Sequence, residues 1–463
     1  MHVMNRSRWW CCLTVGVVIV FDFSITAVYA SPQGAPADTE TAVLRSGPMV
    51  GYGDLMEVML WVQTTRAAEI QYRYWPEGKL TEAALSAVQP TDPSRDNIAH
   101  VLLTDLEPGT RFEYELLVDG QVVKRSYPLH FQTQPLWQWR TDPPAFSVAI
   151  GSCTYINEPE FDRPGTPYGD NYEIFTAIAA LKPDLMLWLG DNVYLREPEF
   201  FSESRMRHRN AHTRALPEMQ PLLGAAHNYA IWDDHDYGPN DSDRSYSHKN
   251  VALQVFKDFW CNPQYGTDEL PGVFGRFVWG DIEFFLLDDR YHRSPNRMPE
   301  GPDKVMFGPR QMQWLKEALA NSWAPFKIVV GGNQMINPLT MFEGFGNFHH
   351  EQQDLLNWIR DSKTRGVIFL SGDRHHTELL RVTMEGFYPL YEYTSSPLTS
   401  GTHPPGKEAE NPARIYGVFE KRNFGMLHFS GPRLDRQLVM ECYDNNGVKL
   451  WQYEIKAKDL RVD

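Results

Sequence analysis

The chain has few basic residues for the number of acidic ones. Its 463 residues include 44 Lys and Arg against 59 Asp and Glu, which gives a formal net charge of −15. An acidic surface repels polyanions over long range, and this excludes nucleic acid as a bulk partner. Small phosphate esters remain compatible with the charge, because bound cations can reverse the local field.

A long apolar run able to stay in a membrane is also missing. Basic residues precede an apolar stretch at residues 13–20, and Val28-Tyr29-Ala30 supplies a small-x-small cleavage site. Residues 1–30 are therefore predicted to be a signal peptide. Asp22 interrupts the stretch, which argues against a stable membrane span. An uncleaved anchor is the alternative, and either way we expect an exported protein that is periplasmic, on the cell surface or extracellular.

Cysteine is scarce as well. The chain has five, and removal of residues 1–30 would leave Cys153, Cys261 and Cys442. An odd number excludes complete pairing within the chain. Cys153 stands at a predicted strand end and is expected to be the leftover thiol, whereas the other two could pair or remain buried and free.

The length predicts two domains after processing. Residues 31–42 are rich in Pro, Gly and Ser and are predicted to be a linker. Residues 43–135 alternate apolar and polar positions, which predicts an N-terminal β-sandwich, and residues 106–114 resemble the corner of a fibronectin type III-like sandwich. Residues 145–457 alternate strand-like runs with amphipathic helices, which predicts an α/β (α+β) domain.

What the chain does contain is a repeated pattern of short apolar runs, each ending in metal-ligand residue types. Buried strands read as continuous apolar runs, and layered α/β folds collect ligands beyond the carboxyl ends of such strands. The runs are at residues 146–150, 184–189, 229–232, 284–287, 327–330 and 366–370. The pattern predicts a metal centre, and we interpret the chain as a metalloenzyme.

Asp191 and Tyr194 lie three residues apart just after the second run. A carboxylate can bridge two cations, and a tyrosinate favours a hard trivalent ion such as Fe(III). The alternative is a helix-capping Asp beside a packed Tyr. Cys153, after the first run, is a further candidate ligand, although a strand-end Cys is more often a small buried hydrophobe.

The third run leads into the strongest local signal, Asp233-Asp234-His235-Asp236. Three carboxylates around one His would repel one another at a strand end unless cations hold them. A solvated acidic loop is the alternative. His235 is a candidate general acid, and Asn240 offers a neutral oxygen ligand nearby.

Asp373 and His375 follow the last run. Alternate side chains of an extended segment share one face, so both are candidate ligands. Arg290 and Arg374 are candidate clamps for a phosphate, because a guanidinium can bind phosphate oxygens in a bidentate manner. Ion pairing with the surplus Asp residues is the alternative for each arginine.

In this order, the motifs resemble those of the PhoD-like alkaline phosphatase family, a branch of the calcineurin-like metallophosphoesterases. The resemblance covers residues 43–457, including the leading β-sandwich. It implies a four-layer α-β-β-α core and hydrolysis of phosphate mono- and diesters. The matching motifs are Gly151-Ser152-Cys153, Gly190-Asp191-x-x-Tyr194, Trp232-Asp233-Asp234-His235, Leu287-Asp288-x-Arg290 and Ser371-Gly372-Asp373-x-His375.

The resemblance also implies a centre of Fe(III) and Ca(II), with other divalent metals as the alternative. Carried over by motif, the ligands are Cys153, Asp191 and Tyr194 on the iron side, Asp234 and Asn240 on the calcium side, and Asp373 and His375 completing the centre. The chain departs from the family where Asp236 replaces Glu and Asp289 replaces Thr. These departures put the substrate preference in question more than the catalysis.

The predicted reaction is metal-assisted attack of hydroxide on the phosphorus of a phosphate ester. His235 would protonate the leaving alkoxide, Arg290 would stabilise the charge on the equatorial oxygens, and Arg374 would bind substrate. A phospholipase D-like phosphodiesterase is the nearest alternative. A non-catalytic envelope binding protein on the same scaffold is an alternative of another class. The oligomeric state is not predicted.

Overall fold

The computed structural model describes residues 43–339 and 342–462. The predicted signal peptide and linker, residues 1–42, lie outside the described residues. Within those residues no helix has the length and apolar character that crossing a membrane requires.

Two antiparallel sheets packed face to face form the N-terminal part. Their strands are β1 (Leu44–Gly53), β2 (Val58–Thr64), β3 (Glu69–Pro76), β4 (Ala84–Leu85), β5 (Gln89–Pro90), β6 (Ile98–Leu103), β7 (Arg111–Val118), β8 (Gln121–Val123) and β9 (His130–Gln132). One sheet has the order β1-β2-β6 and the other β4-β3-β7-β8, with β5 paired to β3 and β9 to β7.

Strand β7 shows why this segment folds as a sandwich. Every second residue from Phe112 to Val118 is buried, as expected because successive side chains point to opposite faces. These residues share a core cluster with Leu60 of β2 in the facing sheet. Asp119 (φ 50°) and Gly120 (φ 75°) connect β7 to β8, and a two-residue hairpin turn requires positive φ at both positions.

The rest of the described chain alternates strands with helices. The strands are β10 (Phe146–Gly151), β11 (Leu185–Leu189), β12 (His227–Ile231), β13 (Gly275–Trp279), β14 (Ile282–Leu286), β15 (Lys327–Val330), β16 (Val367–Ser371), β17 (Thr377–Val382), β18 (Leu390–Thr394), β19 (Arg414–Val418), β20 (Asn423–Ser430), β21 (Gln437–Asp444) and β22 (Lys449–Lys456). The helices are α1 (Ile174–Ala180), α2 (Glu203–Arg214), α3 (Gln220–Leu223), α4 (Asp234–Tyr237), α5 (Lys249–Phe259), α6 (Pro309–Asn321) and α7 (His349–Asp361).

These strands form two further sheets. The first has the order β12-β11-β10-β20-β21-β22, and the second β13-β14-β15-β16-β18-β17-β19. Strands β10, β11 and β12 are parallel, as are β14, β15, β16 and β18. The C-terminal strands β20 to β22 are antiparallel and extend the first sheet beside β10.

Strand β10 shows how the sheets and helices are layered. Val148 and Ile150 join a core cluster with Phe284 of β14, so one face of the first sheet packs on the second sheet. Ala149 joins a different cluster with Phe175 of α1. Because alternate residues point to opposite faces, α1 lies on the outer face of the first sheet. The predicted mixed α/β fold is therefore confirmed.

The cysteines of the described residues form no disulfide. Cys153, Cys261 and Cys442 are each buried and free. Cys261 lies so close to Gly51 of β1 that a Cβ built there would be 2.2 Å from the Cys261 Cβ. The sequence left the state of Cys261 and Cys442 open, and the structure places both as separate buried thiols.

Candidate active site

Strand order brings the predicted ligands to one place. Cys153 follows β10, Asp191 follows β11 and Asp234 follows β12, three neighbouring parallel strands. Asp373 and His375 follow β16 of the second sheet. The carboxyl ends of parallel strands meet at one edge of a sheet, where α/β folds bind ligands. Two facing sheets therefore contribute to one site.

The backbone at this edge is left-handed at four of the predicted ligands. The φ angles are 61° at Cys153, 51° at Asp191, 64° at Asp373 and 53° at His375. Residues other than glycine adopt this region at a cost of about 1–3 kcal/mol each, and such positions cluster at functional sites. These left-handed positions turn the four side chains toward the same site, and the backbone strain is the free-energy cost of that arrangement.

Cys153, Asp191 and His375 offer ligand atoms that all lie within 4.8 Å of one another. The Cys153 Sγ is 3.5 Å from Asp191 Oδ2. The Tyr194 hydroxyl lies 3.0 Å from the same oxygen and 3.0 Å from His375 Nε2. A thiol, a carboxylate and a phenol, which the sequence assigned to the iron side, thus converge with the imidazole of His375, and their role as ligands stays a prediction.

The His375 ring is oriented by contacts on its other nitrogen. His375 Nδ1 faces the Gly401 carbonyl oxygen and lies 3.2 Å from the Tyr168 hydroxyl. Donation of the Nδ1 hydrogen to that carbonyl leaves the lone pair of Nε2 directed at Tyr194 and Asp191. A carbonyl acceptor behind a ligating His is the usual way of fixing its tautomer.

A second group shares Asp191 with the first. Asp191, Asp234 and His235 offer atoms within 4.8 Å of one another. The His235 backbone N–H donates to Asp191 Oδ1 at 3.3 Å, so the two oxygens of Asp191 face different groups. The His235 ring lies against the Tyr194 ring, with centroids 4.1 Å apart. Asp191 is therefore common to both groups of candidate ligands.

Of these groups, Tyr194, Asp234, His235 and His375 line a cavity of about 680 Å³ that opens to solvent, whereas Cys153 and Asp191 are buried and are not among its wall residues. Its walls are Tyr155, Arg163, Tyr168, Tyr194, Asp234, His235, Asn240, Asp241, Phe342, Glu343, Asp373, Arg374, His375, His376, His403, Pro404, Pro405, Gly406, Lys407 and Glu408. Asp373 and Asn240 are thus in the wall, but neither belongs to the two groups above. Asn240 is exposed and donates from Nδ2 to Asp241 at 2.7 Å.

Burial shifts the pKa values of these donor groups toward their neutral forms. Burial raises the pKa of the Cys153 thiol to about 11 and that of Asp373 to about 6. Burial and the neighbouring Cys153 and Asp234 raise the pKa of Asp191 well above its usual range. Burial also raises the pKa of Tyr194 and lowers that of His235. Buried anionic ligands are stable when they are paired or coordinate a cation, so this set fits metal ions.

Two of the acidic residues after β12 form hydrogen bonds with backbone N–H groups and do not line the cavity. Asp236 accepts hydrogen bonds from the backbone N–H groups of Asn192 (3.0 Å) and Asp233 (3.0 Å). Asp233 and Asp236 together form a capping box at the start of α4. Repulsion within this acidic segment is therefore relieved partly by hydrogen bonds, and only Asp234 and His235 reach the cavity.

Arg290 is not in the cavity wall. It is fully buried and pairs with Asp233 and, in a bidentate manner, with Glu343 at 3.1 and 2.9 Å. Asn333 Nδ2 donates to Asp233 at 3.0 Å from the other side. These contacts correspond to the ion-pair alternative for Arg290, and its predicted substrate contact stays a prediction.

Arg374 does line the cavity. Its guanidinium pairs with Glu408, lies 3.9 Å from Asp373 and stacks on the Phe342 ring at 4.4 Å from the centroid. Both predicted interpretations of this arginine are compatible with its place, because one side pairs with a carboxylate and the other faces the cavity.

The sequence missed several residues of the site. Glu343 and Tyr168 come from loops with no apolar run before them, so no strand-end signal marks them. Ser396, whose hydroxyl donates to Cys153 Sγ at 3.1 Å, follows β18 and belongs to no ligand-type cluster. Asn333 lies in the polar cluster after β15, and its position after an apolar run would have identified it as a candidate.

The chain matches known families over most of its length. The model of the PhoD-like phosphatase family matches residues 149–431, more than half of the chain. A domain of unknown function, DUF7800, matches residues 41–136. Alkaline phosphatase D of Bacillus subtilis (strain 168) is 18% identical over 470 residues, covering 86% of this chain and 76% of that protein.

Two solved structures share the fold. The structure of PhoD superposes with a TM-score of 0.72 at 16% identity, covering 90% of this chain and 93% of that one. A purple acid phosphatase from yellow lupin (Lupinus luteus) seeds superposes with a TM-score of 0.61 at 13% identity, covering 88% and 74%. The chain belongs to the PhoD-like phosphatase family and is a phosphoric ester hydrolase.

Proposed function

We propose that this protein is an exported, metal-dependent phosphatase that hydrolyses phosphate mono- or diesters at a centre of Fe(III) and Ca(II). The observation that carries the proposal is the position of Asp191. It belongs to both groups of candidate ligands beside the cavity, with Oδ2 next to the Cys153 thiol and the Tyr194 hydroxyl and Oδ1 accepting from the His235 backbone N–H. A shared carboxylate is what a centre with adjacent cations requires.

The proposed ligands follow from the donor types. Cys153, Tyr194 and His375 would hold the iron together with Asp191, since a phenolate favours a trivalent ion. Asp234, Asn240 and Asp373 supply oxygen ligands, which calcium prefers. Other divalent metals are the alternative for either position.

The bound cations would neutralise charge on the phosphate oxygens and make an attacking water more acidic. The chain itself positions the ester and the leaving group. His235 lies in the cavity wall with its ring held against Tyr194, where a ring N–H can donate to the leaving oxygen. Arg374 lies in the same wall and can pair with a phosphate oxygen. Arg290 would act by positioning Asp233 and Glu343, and its predicted direct contact with substrate rests on the motif alone.

Domain limits and export complete the proposal. We infer a β-sandwich domain at residues 43–135 of fibronectin type III-like type and a four-layer α-β-β-α phosphatase domain at residues 145–457. Cleavage of residues 1–30 would release the mature enzyme, with residues 31–42 as linker. Sequencing the N-terminus of the exported protein tests the cleavage site, and a chain that retains residues 1–30 would overturn it.

The experiment for the metal centre compares Cys153→Ala with Cys442→Ala, two buried thiols of which only the first lies at the site. We expect iron and calcium in the unmodified protein, and a loss of both iron and p-nitrophenyl phosphate turnover in Cys153→Ala alone. Metal content and turnover that are unchanged in Cys153→Ala would return this residue to the buried-thiol interpretation. A protein without metal that still turns over would overturn the metal dependence.

Assays on p-nitrophenyl phosphate and bis(p-nitrophenyl) phosphate separate the two ester classes. A higher kcat/KM on the diester would favour the phosphodiesterase alternative. The cavity supports either substrate, because one side is open to solvent and its walls carry aromatic rings beside the donors.

A further inference from the structure

A second concave surface lies far from the candidate active site. Trp139, Trp323 and Leu434 have 88%, 86% and 93% of their surface exposed. They line one groove of about 810 Å³ together with Trp137, Arg365 and Arg433. We name these six residues the aromatic–basic patch. Exposing three large apolar side chains together is unfavourable in water and marks interaction surfaces.

The patch lies at the opposite end of the strands from the phosphatase cavity. Trp323 precedes β15 and Arg365 precedes β16, whereas the ligands Asp373 and His375 follow β16. Leu434 lies in the turn between β20 and β21. A surface bound at this end would leave the cavity facing away from it.

Positive charge surrounds the apolar side chains although the whole chain is acidic. The Arg433 guanidinium lies 5.4 Å from the Trp137 ring centroid and 6.0 Å from that of Trp139. Arg365, Lys458 and Arg461 line the same groove, and of these Lys458 pairs with Asp435 at 3.0 Å. The carboxylates in its wall are already paired, since Asp281 binds the buried Arg436 at 2.8 Å and Glu283 binds Arg276 at 3.1 Å.

The backbone of Trp139 has a conformation that is unfavourable for a bulky residue. Its φ is 63°, a conformation that a bulky residue rarely adopts, and its side chain is 88% exposed. Neighbouring backbone hydrogen bonds close the turn, since Arg140 N–H donates to the Trp137 carbonyl oxygen at 2.9 Å. The turn therefore presents an indole to solvent where burial would have been favourable.

We propose that the aromatic–basic patch docks the enzyme onto a bilayer that contains anionic phospholipid. Trp at the level of the headgroups, a Leu in the acyl boundary and Arg or Lys beside them are the side chains that bind this interface. Each basic residue near an anionic membrane adds about 1 kcal/mol. The formal charge of −15 would repel such a membrane elsewhere on the surface, so the patch also sets the orientation.

A second copy of this chain fits the patch less well. A symmetric contact would bring Arg365 and Arg433 of two copies together, which places like charges at one interface. The apolar residues come from three separate loops and are 86–93% exposed, so each can contact the headgroup region of a bilayer.

Sedimentation with vesicles tests the proposal. A chain without residues 1–39 is used, because its described residues belong to one compact unit and because the apolar stretch at residues 13–20 could itself bind lipid. We expect the protein to sediment with phosphatidylcholine vesicles that contain about 30% phosphatidylglycerol. Its partitioning into vesicles of pure phosphatidylcholine should be roughly tenfold weaker. Raising the salt concentration should weaken the binding.

Variants locate the binding surface. Trp139→Ala with Trp323→Ala should lower partitioning by at least about tenfold, and Arg365→Gln with Arg433→Gln should do so only on anionic vesicles. Leu80→Ser with Leu85→Ser, each 57% exposed on the sandwich, is the matched control and should bind as the unmodified protein does. Turnover of p-nitrophenyl phosphate should be unchanged in all three, which shows that they fold.

Three results would overturn the proposal. They are absence of binding to anionic vesicles, equal losses in the control variant, and a dimer in light scattering that the Trp139 and Trp323 substitutions dissociate. The last result would assign the patch to contact between copies. None of these outcomes bears on the metal centre, because turnover on a soluble ester is measured separately.

Discussion

Two acidic clusters meet at the same strand ends, and they differ in what neutralises them. The scaffold cluster consists of Asp233, Asp289 and Glu343 around Arg290. The donor cluster consists of Cys153, Asp191, Tyr194, Asp234 and His375. Both are buried, and Asp233 and Asp234 are adjacent in the chain, yet the two residues belong to different clusters.

The chain supplies the countercharge to the scaffold cluster. Although burial raises the pKa of Glu343, Arg290 and Arg293 together hold it well below its usual range. For Asp233 and Asp289 burial outweighs the same arginine, and their pKa values are raised although Arg290 lowers both. In the donor cluster no cationic side chain among the described residues pairs with Asp191, and burial raises its pKa. Carboxylates that the chain itself neutralises are structural, whereas buried ones left without a countercharge are candidates for metal ligation.

The largest effect is expected in the scaffold cluster. Arg290→Met removes the cation and leaves two or more buried carboxylates uncompensated, which should lower the free energy of unfolding by about 3–5 kcal/mol. Urea unfolding measures this change. The matched control is Arg310→Met, whose exposed pair with Glu269 at 3.0 Å should contribute less than about 1 kcal/mol.

Equal small changes in both variants would contradict the structural role of Arg290. A variant that unfolds normally but loses turnover would instead favour the direct contact with substrate that the sequence motif predicts. The comparison therefore separates positioning from catalysis for this arginine.

In the donor cluster the expected change is in activity. Asp191→Asn should lower kcat/KM by roughly 10²–10³-fold and reduce the bound metal. The unfolding free energy of the metal-free protein should not fall, because burial disfavours the charged carboxylate that the substitution removes. Turnover, metal content and urea unfolding after chelation measure the three quantities.

Asp435→Asn serves as the control for a carboxylate in an ordinary ion pair, since Asp435 binds Lys458 at 3.0 Å far from the cavity. It should leave both metal and turnover unchanged. A destabilised Asp191→Asn that kept its metal would place Asp191 in the scaffold and remove the distinction between the clusters.

The sequence predicted the donor cluster better than the scaffold cluster. Cys153, Asp191 and Asp234 each stand two or three residues after the end of an apolar run, and parallel strands bring such positions to one edge. The alternation of apolar and polar positions over residues 43–135, seen in β7, was also readable, because it depends on local periodicity. These features are local in the chain.

The rest depends on contacts between distant segments. Asp233 and Asp234 are adjacent and have the same chemistry, and Arg290, 57 residues along the chain from Asp233, pairs closely with Asp233 but lies 4.0 Å from Asp234. Glu343 lies in a loop without a periodic signal. The sequence therefore predicted which residue types gather at the strand ends but not which of them the chain would neutralise itself.

Glu351 represents a third kind of buried carboxyl group, and the effect expected from its substitution is the smallest of those compared. Glu351 in α7 accepts hydrogen bonds from the backbone N–H groups of Met306 (2.6 Å) and Gly308 (2.8 Å) and has neither an arginine partner nor a place in the cavity wall. Burial outweighs these bonds and raises its pKa to about 7. Backbone dipoles alone therefore compensate a buried carboxylate less completely than Arg290 does.

The raised pKa predicts how stability depends on pH. Between the unfolded value of 4.5 and about 7 the folded protein keeps a proton on Glu351 that the unfolded chain has lost, so this contribution to stability falls as pH rises through that window. Glu351→Gln should flatten the fall of the unfolding free energy between pH 5 and 8, at a cost of about 1–3 kcal/mol from imperfect acceptance of the amide hydrogens. The exposed Glu317→Gln should leave the slope unchanged, and a Glu351→Gln slope identical to that of the unmodified protein would show that backbone hydrogen bonds suffice to keep a buried carboxylate ionised.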